Sequence, residues 1–90
     1  MNTQTQLFPL GQVVMTPGFL GLGLDPAPFL ARHQSGDWGD NAQADNEEND
    51  FSIYNGFRII SSYRAPDGQP FWVITEADRS ATTLLLPDEY

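Results

Sequence analysis

Thr75, Glu76, Asp78, Arg79 and Ser80 fall within six residues of the closing segment ITEADRSATTLLLPDEY. A hydroxyl, carboxylates and a guanidinium so close together are the raw material of hydrolysis. For Ser80 to act as a nucleophile, however, a base must stand within hydrogen-bond reach, and the single histidine, His33, belongs to another predicted element. Glu76 and Asp78 are an acid pair by type, but two residues apart in a connection they do not flank a scissile bond. Strand patterns lie on both sides of EADRS. The expectation is therefore a structural turn made by Glu76, Asp78, Arg79 and Ser80. Asp78 should cap backbone N–H groups through Ser80, with Arg79 pairing to Glu76 or Asp78. On this reading the chain is not an enzyme.

Other reaction chemistries lack their residues. With no cysteine and one histidine, there is no thiolate, no disulfide and no His/Cys set for zinc, so neither metal nor cofactor is expected. His33 sits in the last turn of a predicted helix, where a capping role at the negative end of the dipole is expected.

The elements that would hold these residues are legible from breakers and periodicity. The 90 residues are 40% apolar, with six Phe, two Trp and three Tyr, enough for one domain with its own core, residues 1–90. GQVVM predicts a strand over 11–15. Thr16 and Pro17 then predict a short helix ending near Gly23, and Asp25 and Pro26 a firmer one over 26–35 with Phe29 and Leu30 inward, stopped at Gly36. NAQADNEENDFSIYNG predicts a helix over 42–54, with Phe51 and Tyr54 toward the core and Asn55-Gly56 as its stop. After Gly56 the period changes to two, which predicts strands over 57–65, 70–76 and 81–86 in an antiparallel meander. The fold class is α+β: a small single domain with a three- to four-stranded antiparallel sheet and two or three short helices on one face.

Charge is the most lopsided feature. Twelve Asp and Glu stand against four Arg and no Lys, a net charge of −8, which disfavours direct contact with nucleic acid or anionic membrane and favours a basic partner. Residues 1–24 carry no charged side chain, whereas DWGDNAQADNEEND, 37–50, holds six acids and no base. Asp37, Asp40, Asp45, Glu47, Glu48 and Asp50 are thus the candidate partner-binding residues. Trp38, between Gly36 and Gly39, is either a core plug beneath a turn or an anchor for that partner. The N-terminal MNTQTQLFPLGQVV has neither the basic start nor the apolar run of a secretion signal, and no run is long enough to cross a bilayer, so a cytoplasmic protein is expected.

The blocks TPG, ARH, GDWG, GFRIISSY and WVITEADRSATTLLLPDEY resemble a family of small uncharacterised bacterial proteins often carried on plasmids and integrative elements. Some of its members are labelled as type I restriction enzyme subunits. The likeness spans residues 16–90, and the Asn-rich acidic stretch 40–55 departs from it. The resemblance implies a mobile-element habitat and no particular reaction. Joined to the acidity, it leads to an expected inhibitor or modulator of a nucleic-acid-targeting defence, of anti-CRISPR or anti-restriction type. Its partner would be a basic host protein such as a CRISPR effector or a restriction-enzyme subunit. The alternatives are a small assembly module, homodimeric through a sheet edge, and a small hydrolase or ligand-binding domain built around TEADRS.

Overall fold

Turn chemistry after Gly56 shapes the sheet. In the computed structural model, which describes residues 6–90, β2 (Ile59–Arg64), β3 (Pro70–Thr75) and β4 (Ala81–Leu85) form the expected antiparallel meander. Residues 1–5, the start of the segment read for a secretion signal, lie outside the described residues.

The fourth strand corrects the expectation of an antiparallel sheet. β1 (Gln12–Met15) lies beside β4 and parallel to it, giving a mixed sheet of order β1-β4-β3-β2. A parallel neighbour needs a long crossover, and the whole chain between Met15 and Ala81 provides it. The register is fixed at both ends, by the Gln12 N–H on the Ser80 carbonyl at 3.0 Å and the Thr16 N–H on the Leu84 carbonyl at 3.1 Å.

Three helices join this sheet. Thr16 caps α1 (Pro17–Leu20) by accepting from the Phe19 N–H, with Pro17 at the position where a missing N–H costs nothing. In α2 (Ala27–Gln34) Asp25 accepts from the Ala27 N–H at 3.0 Å. α3 (Gln43–Asn55) ends at Gly56 in the left-handed conformation, as the Asn-Gly pair requires. Phe19 of α1 and Phe29 and Leu30 of α2 pack on Tyr63, Phe71, Val73 and Leu84, which share one face of the sheet. No helix among the described residues is long and apolar enough to cross a membrane.

α3 docks differently, and here the sequence reading is overturned. Phe51 is 57% and Tyr54 82% exposed, while the inward residues are Asn49, Ser52 and Ile53. The reason is what α3 lies against: it runs along the outer edge of β2, where backbone groups need partners more than side chains need a core. Asn49 donates to the Ile60 carbonyl at 2.7 Å and accepts from the Ile60 N–H at 3.1 Å, imitating a neighbouring strand. Residues 38–40 complete the seal, since the Ser62 N–H donates to the Trp38 carbonyl and the Asp40 N–H to the Ser62 carbonyl. Only glycine fits at 39, where φ is 74° and a Cβ would stand 2.0 Å from the Ser62 carbonyl oxygen.

Beneath α2 the sheet carries a polar line through the core. His33 is 0% exposed, its Nδ1 2.6 Å from Ser61 Oγ and its Nε2 2.9 Å from Thr75 Oγ1. Thr75 Oγ1 is 2.7 Å from Thr82 Oγ1, which bonds the Leu10 carbonyl at 2.7 Å. The capping role expected of His33 is therefore replaced by a bridge to the sheet. A carbonyl can only accept, which sets the direction of the line as far as Nε2; at Nδ1 the direction follows from the neutral ring that burial favours. Thr82 donates to Leu10, Thr75 to Thr82, the ring's Nε2–H to Thr75, and Ser61 to the unprotonated Nδ1. Every hydroxyl proton is used and the imidazole is neutral.

Burial pushes the His33 pKa from 6.5 down to about 3. Because the folded value lies below the unfolded one, neutral His33 contributes stability that is fully present above pH 6.5. That stability is lost as pH falls toward 3. Denaturant titrations between pH 7.5 and 5, above the range where carboxylates protonate, should show a loss of about 1 kcal/mol per pH unit below 6.5. His33→Gln should be less stable at pH 7.5 and lose this slope; a flat wild-type profile contradicts the buried neutral ring.

Candidate functional site

The EADRS segment closes the β3–β4 hairpin. The Arg79 N–H donates to the Glu76 carbonyl at 2.9 Å, and the Ser80 N–H donates to Asp78 Oδ1 at 3.0 Å. The Ser80 hydroxyl and N–H hold the Asp78 carboxyl below the usual carboxylate range. Arg79 sits at φ 61°, a left-handed position that glycine usually fills.

The guanidinium of Arg79 pairs with neither expected acid. It donates to four backbone carbonyls: Ser52 at 2.7 Å, Phe57 at 2.8 Å, and Glu76 and Ala77 at 3.1 Å. Ser52 lies in the last turn of α3, so the cation meets the negative end of that helix and ties it to the hairpin. Glu76 pairs instead with Arg58, at 3.5 Å. His33 and Ser61 do form a hydroxyl–imidazole pair, and both are fully buried.

The six acids of 37–50 are not one patch. Asp37 is bound by Arg32 at 2.8 Å, whose guanidinium holds the carboxyl below its ordinary range, and Asp40 is bound by Arg64 at 3.1 Å. Asp50 accepts from the Trp38 indole at 3.2 Å. Trp38 itself is 5% exposed and stacks on Phe8; a surface anchor needs an accessible ring face, and this ring fills the core. Glu47 and Glu48 are exposed on α3, as is Asp45. Across the described residues, three of the twelve acids pair with arginine and nine do not, while Arg79 is spent on carbonyls.

A cleft of about 630 Å³ opens between α3 and the sheet face opposite α1 and α2. Asp45, Glu48, Asn49 and Ser52, one face of α3 at helical spacing, form its first wall. Ile60, Ser62 and Trp72 make the floor; Phe57, Arg58 and Tyr90 stand opposite. The segment 86–90 is docked against the start of α1. Glu89 accepts from Thr16 Oγ1 at 2.6 Å and from the Gly18 N–H at 2.9 Å, contacts that with the Leu86 N–H keep its carboxyl below the ordinary range. Tyr90 is thereby laid edge-on against Trp72, with ring centroids 5.6 Å apart. Arg58 bonds the Tyr90 hydroxyl.

The sequence reading named Asp45 and Glu48 but missed Phe57, Trp72 and Tyr90. A signal existed for Trp72. It alternates with Phe71 and Val73, which places it on the face that the helices leave uncovered. The chain matches no protein-family model, no curated protein and no solved structure.

The Arg79 clasp makes a graded prediction. Arg79→Ala should lower stability by about 2 kcal/mol by leaving carbonyls unpaired. Arg79→Gly loses the same bonds but relieves the backbone, and should be about 1 kcal/mol more stable than the alanine variant. Chemical denaturation of both reads this out, and equal stabilities contradict the strained turn.

Proposed function

We propose that the protein is a non-catalytic inhibitor or modulator of a nucleic-acid-targeting defence system, of anti-CRISPR or anti-restriction type. It acts in the cytoplasm and binds a basic surface of a host protein such as a CRISPR effector or restriction-enzyme subunit. The observation that carries this reading is the composition of α3. Asp45, Glu47 and Glu48 have no arginine partner among the described residues, and they adjoin the exposed rings of Phe51, Tyr54 and Phe57. Unpaired acids steer a cationic partner, and aromatic side chains supply desolvated contacts once it arrives. Phe51 and Phe57 already stack at 5.9 Å, so they present a fixed surface rather than loose rings. The resemblance to proteins of mobile elements supports a target of this kind.

A second reading, a homodimeric assembly module, draws on the other edge of the sheet. β2 is sealed, but among the described residues the outer edge of β1 has no paired strand, its Val13 and Val14 are exposed, and the region carries no charged side chain to discourage pairing.

The acidic-surface reading predicts salt-dependent binding to the host target, because exposed charges are screened beyond about 8–10 Å at physiological ionic strength. Neutralising Asp45, Glu47, Glu48 and Asp50 to Asn or Gln should slow association about tenfold or more with little change in folding. Asn at position 50 keeps the acceptor for Trp38. Surface plasmon resonance against purified restriction or CRISPR complexes at two salt concentrations tests this. Salt-independent binding that survives the fourfold change favours the assembly reading.

A further inference from the structure

The cleft beside α3 has walls of different character, and the difference indicates what fits. Asp45 and Glu48 stand on the helix wall without an arginine partner, while the floor offers the indole of Trp72 beside Ile60. Arg58 is the one cation of the lining, and it is engaged by Glu76 and the Tyr90 hydroxyl. An anionic ligand would meet the two free carboxylates and find no free cation among the described residues. A wholly apolar ligand would leave those carboxylates partly desolvated and unpaired.

We infer that this cleft receives an arginine side chain from a basic, extended segment of a partner protein. Its guanidinium reaches Asp45 and Glu48 while its plane or alkyl stem lies over Trp72. The planar cation is suited to both contacts, since it bonds carboxylates through a fork of N–H groups and stacks on an indole face. Space is sufficient, since about 630 Å³ exceeds one side chain and leaves room for flanking backbone along the α3 wall. The wall is rigid: Asn49 bonds the β2 edge on both its amide atoms, and Arg79 holds the last turn of α3. The opposite wall is fixed by the Glu89 contacts that carry Tyr90. This inference rests on the acidic-surface reading and narrows it from a charged face to one cleft.

The test uses the full chain, labelled with nitrogen-15, and an acetylated, amidated peptide of alternating glycine and arginine, with an otherwise identical glutamate peptide as control. The arginine peptide should shift the Trp72 indole N–H, the Asn49 side-chain amide and the Ser62 amide in a saturable way; the glutamate peptide should not. Asp45→Asn with Glu48→Gln should weaken binding about tenfold, whereas Asp25→Asn with Asp67→Asn, equal in charge removed and outside the cleft, should change it less than about twofold. Trp72→Leu should weaken binding while leaving its salt dependence intact. Shifts spread over all exposed acids, or equal effects of the two double variants, would overturn the cleft while leaving the acidic surface standing. Absence of any shift at low salt would overturn both.

Discussion

A neutral imidazole sealed inside the domain is the constraint on which the remaining structure depends. A lone polar ring in an apolar core is costly unless every hydrogen-bonding atom is satisfied. Here satisfaction requires Ser61 from β2, Thr75 from β3, Thr82 from β4 and the Leu10 carbonyl ahead of β1, all in register. A slip of one residue in any strand would turn its hydroxyl to the opposite face and orphan the ring. The line thus selects one register for the meander and positions α2 over it. Around it pack Phe8 and Trp38, both edge-on to the imidazole at 5.2 and 5.8 Å.

With polarity concentrated under α2, the arginines are left to organise the periphery. Arg79 joins α3 to the hairpin, Arg64 and Arg32 hold the acids of the GDWG loop, and Arg58 holds the C-terminal tyrosine. None remains to neutralise Asp45, Glu47 and Glu48. The separation follows from composition: four cations are enough to fasten the connections of a small domain, and the unmatched negative charge collects where no fastening is needed. α3 is the outcome, a helix anchored by its polar inner face and free to present acids and aromatic rings outward.

Much of this could be read in the sequence. Thr16-Pro17, Asn55-Gly56 and the change of period after Gly56 are local signals, and the elements they predict lie where expected. The parallel pairing of β1 was not legible, because a four-residue strand says nothing about a neighbour distant in sequence. Phe51 and Tyr54 misled for a physical reason. Apolar residues on a helix are read as a buried stripe, but α3 docks through the Asn49 amide on the Ile60 backbone and through its Ser52 carbonyl on the Arg79 guanidinium, interactions without an apolar signature. At the candidate site, Asp45 and Glu48 were legible from charge alone. Their division from Asp37, Asp40 and Asp50 was not, since it depends on which arginine or indole each acid meets.

The central claim is that His33 is neutral, carries its proton on Nε2, and is locked between Ser61 and Thr75. Long-range nitrogen–proton correlation spectra of the imidazole, recorded between pH 7.5 and 4.5, test it directly. The account predicts one set of signals with the Nε2–H tautomer, unchanged across this range while the protein stays folded. A ring that titrates with a midpoint near 6.5, or one that carries its proton on Nδ1, would contradict it.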